Sequence, residues 1–143
     1  MKPPTRRPVP SPSFERRPFA QLRRLCLGLP ETSETSSWGH PNFRAGKKIF
    51  CAFEVFGGRP SIAFRVPPGD ADRLSRKEHF FATPYGRGVW VSRWLDVPID
   101  LKLMASLIDR SYRQVATRKL VGLLDSTTGL SKASLATGEI SRV

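Results

Sequence analysis

The sequence predicts an α+β domain of two layers, with helices packed on an antiparallel sheet of about five strands. Three patterns predict it. Apolar residues at helical spacing open and close the central part of the chain. Between them stand runs that alternate apolar and polar residues, as half-buried strands do. Short glycine turns join those runs, which suits antiparallel hairpins. A chain of 143 residues fits one domain, and at that size folding buries roughly 70% of the surface the unfolded chain exposes.

Phe19, Leu22, Leu25, Cys26 and Leu29 share a helical face, with Arg16, Arg17, Arg23 and Arg24 opposite, so a first amphipathic helix is expected to end near Pro30. Glu31 to Ser37 is polar and acidic and reads as a linker. The sheet is then expected to begin with Ser37-Trp38-Gly39-His40-Pro41. Pro41 fixes its own φ and pushes His40 toward extended geometry, while Gly39 permits conformations closed to its neighbours. The Trp38-Gly39-His40-Pro41 tetrad reads as architecture. Gly46 supplies a turn flanked by Arg44, Lys47 and Lys48. From Lys48 to Phe56 the chain alternates, with Ile49, Cys51, Phe53 and Val55 on one face and Lys48, Phe50, Ala52, Glu54 and Phe56 on the other. Gly57-Gly58 joins this strand to a second, Ser61 to Val66, in a tight hairpin.

Pro67-Pro68-Gly69 stops that strand, and Asp70 stands where it would cap a short helix through Ala71, Arg73, Leu74 and Lys77. Phe80 to Thr83 reads as a short strand before Pro84. Tyr85-Gly86-Arg87-Gly88 leads into Val89 to Leu95, whose alternation sets Val89, Val91 and Leu95 against Trp90, Ser92 and Trp94. Asp100 occupies an N-cap position, with Ile99 and Met104 spaced as a hydrophobic staple. Leu101, Met104, Ile108, Tyr112 and Val115 form the stripe of a long helix, and Leu120, Val121 and Leu124 suggest a last one. The domain is therefore expected over residues 19–124, between a Pro/Arg-rich arm at 1–18 and a flexible tail at 125–143.

Lys and Arg exceed Asp and Glu by 12. Residues 1–24 hold seven basic side chains against one acidic, and residues 25–143 hold seventeen against eleven, so half the excess sits on a sixth of the chain. Such an excess favours polyanions, because a Lys or Arg set beside a phosphate releases condensed counterions. The folded part shares the bias, with ten basic and four acidic residues between 38 and 94. The candidate nucleic-acid contacts are Arg44, Lys47 and Lys48 in the first basic hairpin, Arg65 on its neighbour strand, and Arg87 and Arg93 around the last hairpin. Trp38, His40 and Trp90 are placed to meet a base or a sugar, while Trp90 also reads, with Trp94, as sheet core.

Several chemistries lack their usual sequence signs. The chain carries no phosphate-cradling glycine motif, nucleophile elbow or dinucleotide fingerprint, so no enzymatic activity and no cofactor are expected. His40 and His79 stand apart, and Cys26 and Cys51 do not form a close pair in sequence, so no zinc set is expected. The two cysteines read as reduced core residues. The longest apolar run near the start, Leu25 to Leu29, is too short for an export signal or a membrane span, which makes a cytoplasmic protein the expectation.

Four stretches of the chain resemble the MmcQ/YjbR family of small bacterial proteins: Trp38-Gly39-His40-Pro41-x-Phe43-Arg44, Gly46-Lys47-Lys48-Ile49-Phe50, Gly88-Val89-Trp90-Val91 and Leu107-Ile108-Asp109-Arg110-Ser111-Tyr112. The resemblance spans roughly residues 19 to 124. It implies helices on an antiparallel sheet, in the group of CyaY-like and secretion-chaperone-like folds, and a DNA-binding role through hairpin wings. The alternative it implies is a module that binds a peptide, a partner protein or a second copy through its sheet or helix face. Ala116-Thr117-Arg118-Lys119-Leu120-Val121 departs from the Lys/Pro-rich segment common in the family, keeping the charge without the proline.

Overall fold

The computed structural model describes residues 17–86 and 88–126. Its elements run α1 (Arg17–Leu27), β1 (Thr32–Ser37), β2 (His40–Ala45), β3 (Lys48–Phe56), β4 (Arg59–Arg65), α2 (Asp70–Ser75), β5 (Phe80–Ala82), β6 (Trp90–Trp94) and α3 (Leu101–Val115). Helical residues 118–126, here α4, follow. The strands form one antiparallel sheet in the order β1-β2-β3-β4-β6-β5. The α+β class is as expected, with six strands instead of about five. Most of the expected arm and the end of the tail, residues 1–16 and 127–143, lie outside the described residues.

The extra strand is β1, which the sequence presents as a linker. Its residues, Thr-Ser-Glu-Thr-Ser-Ser, carry no apolar alternation, because the strand lies at the sheet edge and is mostly exposed. It forms through its backbone, paired in continuous register from Thr32↔Ala45 to Ser37↔His40. Trp38 and Gly39 make the two-residue turn, with φ of 56° and 80°. Positive φ at both positions is the pattern of a type I′ hairpin turn, whose twist suits the strands it joins.

One side of the sheet is covered by α1 and α3. Leu22 and Cys26 of α1 and Met104, Ile108 and Tyr112 of α3 are fully buried with Phe43, Phe53, Ile62, Phe64 and Val91 of the sheet. Each such side chain contributes roughly 1.5–3 kcal/mol by leaving water. The phenyl rings meet edge to face: Phe53 lies 4.4 Å from Phe19 and 5.6 Å from Phe43. Cys26 and Cys51 are buried free thiols. Burial, with the hydrogen bond to Cys26 adding to it, holds the Cys51 thiol well above its ordinary range.

Phe50 departs from its expected face. The pairing passes from Phe43↔Cys51 to Arg44↔Ile49, so Phe50 is an extra residue on β3, a β-bulge. The bulge resets the alternation and turns Phe50 into the core, edge-on to Tyr112 at 5.5 Å. The Tyr112 hydroxyl donates to the Pro30 carbonyl at 2.6 Å, tying α3 to the α1–β1 connection.

The caps fall partly as expected. Asp100 is the N-cap of α3 and accepts from the Lys102 and Leu103 amides. Asp70 is the first helical residue of α2 instead of its cap; Gly69 caps it at φ 94° without a side-chain bond. The Asp70 carboxylate instead pairs with Arg73 and Arg110.

Candidate nucleic-acid interface

Antiparallel pairing assigns each turn to one end of the sheet. Trp38-Gly39 (β1–β2) and Gly57-Gly58 (β3–β4) lie at one end, while Gly46-Lys47 (β2–β3), Arg65 and Trp90 lie at the other. The six residues of β2 separate the ends by roughly 17 Å. The expected contact set is therefore split: Lys47, Lys48 and Arg65 share one end, and Trp38 and His40 belong to the other.

The β2–β3 turn is braced from its own strand. Arg44 donates from Nη1 to the Lys47 carbonyl at 2.7 Å and from Nε to Thr35 Oγ1 at 3.1 Å. Gly46 has φ 65°, and its amide donates to the Glu31 carbonyl at 3.3 Å. Lys47 and Lys48 are exposed, and neither ammonium has an ion-pair partner among the described residues. Arg65 lies at the end of β4, next to the start of β3, with its Nε buried and unbonded among the described residues.

Two more cations belong to this end that no motif in the sequence marks as site residues. Leu120 packs on the turn, its Cδ1 3.9 Å from where a Cβ on Gly46 would stand. Thr117 caps α4 by accepting from the Leu120 amide, and Arg118 and Lys119, both exposed, precede Leu120 in the same first turn. Basic side chains oppose the helix dipole there. The sequence signal was the Arg118-Lys119 pair itself, but only the Leu120 contact places it.

Elsewhere carboxylates are matched to particular arginines: Glu34 to Arg23, Asp96 to Arg59, Asp72 to Arg76, and Asp109 and Asp125 to Arg113. Glu31 brings one carboxylate to the turn end and forms no salt bridge among the described residues. Lys47, Lys48, Arg65, Arg118 and Lys119 outnumber it.

Arg93 is not a surface contact. It is 6% exposed, its register with Ile62 and Phe80 puts it on the helix-covered face, and it donates to the Trp94 and Pro98 carbonyls at 2.7 and 2.9 Å. Burial lowers its pKa. The even spacing of Arg93 between Val91 and Leu95 marked its face, and there its Nη1 and Nη2 are taken up by two carbonyls while Nε is buried without a partner among the described residues. Arg87 lies outside the described residues.

Trp38 is 96% exposed, although its backbone holds a conformation that bulky residues seldom adopt. His40 is half-buried, and burial lowers its pKa. Trp94 stands on the face away from α1 and α3, stacked on Phe81 of β5 at 4.2 Å, with Arg59 of β4 4.0 Å above its ring. Its neighbours on both sides thus occupy it. Tyr85 donates to Glu54 across the same face, and burial raises the Glu54 pKa. No group of three or more His, Cys, Asp or Glu among the described residues is placed to hold a metal ion, and no described helix is long and apolar enough to cross a membrane.

Comparison with known proteins supplies the family. The YjbR family model matches residues 27–114, more than half of the chain. Among solved structures, a Deinococcus radiodurans protein carrying a DUF419 domain aligns at TM-score 0.58 with 20% identity, over 73% of this chain and 85% of that one. A Pseudomonas syringae protein aligns at TM-score 0.51 with 20% identity, over 59% and 87%. No curated protein matches in sequence.

Proposed function

The chain belongs to the YjbR family, and we propose that it binds nucleic acid, DNA in the first instance, through the end of the sheet that carries the β2–β3 turn. One observation carries this reading: Lys47, Lys48, Arg65, Arg118 and Lys119 form no salt bridge among the described residues, and Leu120 packs the start of α4 against Gly46 of the turn. Lys47 and Lys48 track phosphates as point charges. Arg44 acts on the backbone of the turn, holding both lysines outward. Arg65, at the end of β4, adds a further positive charge to this end of the sheet.

The contacts are to backbone phosphate, so binding should depend steeply on salt and little on sequence. Anisotropy titrations of the full chain against labelled duplex and single-stranded oligonucleotides at rising salt test the proposal. Affinity falling linearly in log-log form is expected, and absence of binding at low salt overturns it.

A further inference from the structure

We infer that the β1 edge and the adjoining side of α1 form a docking site for an extended, acidic peptide segment that does not use Lys47 or Lys48 of the turn end. The first observation is the edge itself. Among the described residues β1 borders the sheet, and it carries none of the usual blocks against pairing: no proline, no lysine and no bulge over its six residues. In a two-residue hairpin the flanking pair Ser37↔His40 exchanges both backbone bonds, and so do Thr35↔Asn42 and Ser33↔Arg44. The amides and carbonyls of Thr32, Glu34 and Ser36 therefore point away from the sheet, and an added strand would meet them.

The second observation is a groove of about 460 Å³ along α1, lined by Ala20, Arg23, Arg24, Leu27 and Gly28. One of these lining residues, Arg23, reaches the edge strand and bonds Glu34 at 2.6 Å. Leu27 is 41% exposed within it.

Charge selects the occupant. The only carboxylate of β1, Glu34, is already neutralised by Arg23. Arg24 is left without an ion partner among the described residues on the helix side, and Arg44 lies over Thr35 on the other. A strand added to β1 sends alternate side chains to these two sides. Acidic residues on either row meet a guanidinium, and an apolar one on the helix side meets Leu27. Backbone bonds would supply affinity and the two arginines would supply preference, as in other strand-addition complexes.

The test measures binding of the full-length protein to a short labelled peptide alternating glutamate and valine, beside its lysine-valine counterpart. Two variants report on the two observations. Ser36→Pro removes an outward amide without changing charge, a substitution edge strands tolerate, and Arg24→Glu reverses the groove charge. The expected result is preference for the acidic peptide, weakened about tenfold or more by either variant, with binding unchanged in Lys47→Ala/Lys48→Ala. If Ser36→Pro does not fold, Arg24→Glu alone decides. Equal binding of both peptides, wild-type affinity in the folded variants, or a Ser36→Pro-sensitive dimer that the peptide does not displace overturns the inference.

Discussion

Arg44, paired across the hairpin with Ile49, reaches into the β2–β3 turn and donates from Nη1 to the Lys47 carbonyl at 2.7 Å. A basic strand residue thereby holds the backbone that presents two further basic side chains. Arg44→Ala should loosen the turn. Amide hydrogen exchange at Lys47 and Lys48 should accelerate while global stability falls by about 1 kcal/mol, the worth of an exposed charged hydrogen bond. Unchanged exchange would show that the turn needs no brace.

Trp38 bears on the fold very little. It is 96% exposed and sits at φ 56°, where Asn is better tolerated than a bulky residue. Trp38→Asn should leave chemical-denaturation stability unchanged or raise it by up to ~1 kcal/mol. A loss of several kcal/mol would mean that the indole is packed.

Arg93 separates charge from burial. Removing its guanidinium leaves the Trp94 and Pro98 carbonyls without their donor, so Arg93→Ala should cost about 2 kcal/mol or more. Because the group is buried and bonded to the Trp94 and Pro98 carbonyls, the salt dependence of DNA binding by the folded variant should match wild type. A reduced slope would return Arg93 to the interface.

Glu54 gives a pH signature. Burial raises its native pKa above the ordinary 4.5, with the Tyr85 bond acting the other way. The native state therefore holds the proton to higher pH than the unfolded chain, and stability declines as pH rises from about 4.5 through the raised native value. Glu54→Gln keeps a partner for Tyr85 and cannot titrate, so the difference between the two stability curves should widen over that window. A flat difference, or one of opposite sign, would contradict the assignment.

The elements with the strongest period were legible in the sequence. The stripe Leu101, Met104, Ile108, Tyr112, Val115 and the Asp100 cap gave α3, and the limits of β3 follow from Lys48 and Phe56. What escaped depends on partners distant in sequence. β1 is polar on both faces and becomes a strand only because β2 lies beside it. Phe50 changes sides through a bulge that depends on the register with Arg44, and a period of two cannot foresee it. Lys47 and Lys48 were visible as a basic glycine turn. Their grouping with Arg118 and Lys119 was not, since it rests on Leu120 reaching Gly46.

The folded turn, and not the Pro/Arg arm, is expected to contact phosphate. The most direct measurement is the slope of log affinity against log salt for duplex DNA, taken with wild type, Lys47→Ala/Lys48→Ala, and a variant with Lys2, Arg6 and Arg7 changed to Ser. If each lysine neutralises one phosphate, the double variant lowers the slope magnitude by about 1.8. A slope that is unchanged in the double variant and collapses only when the arm is neutralised would contradict the account.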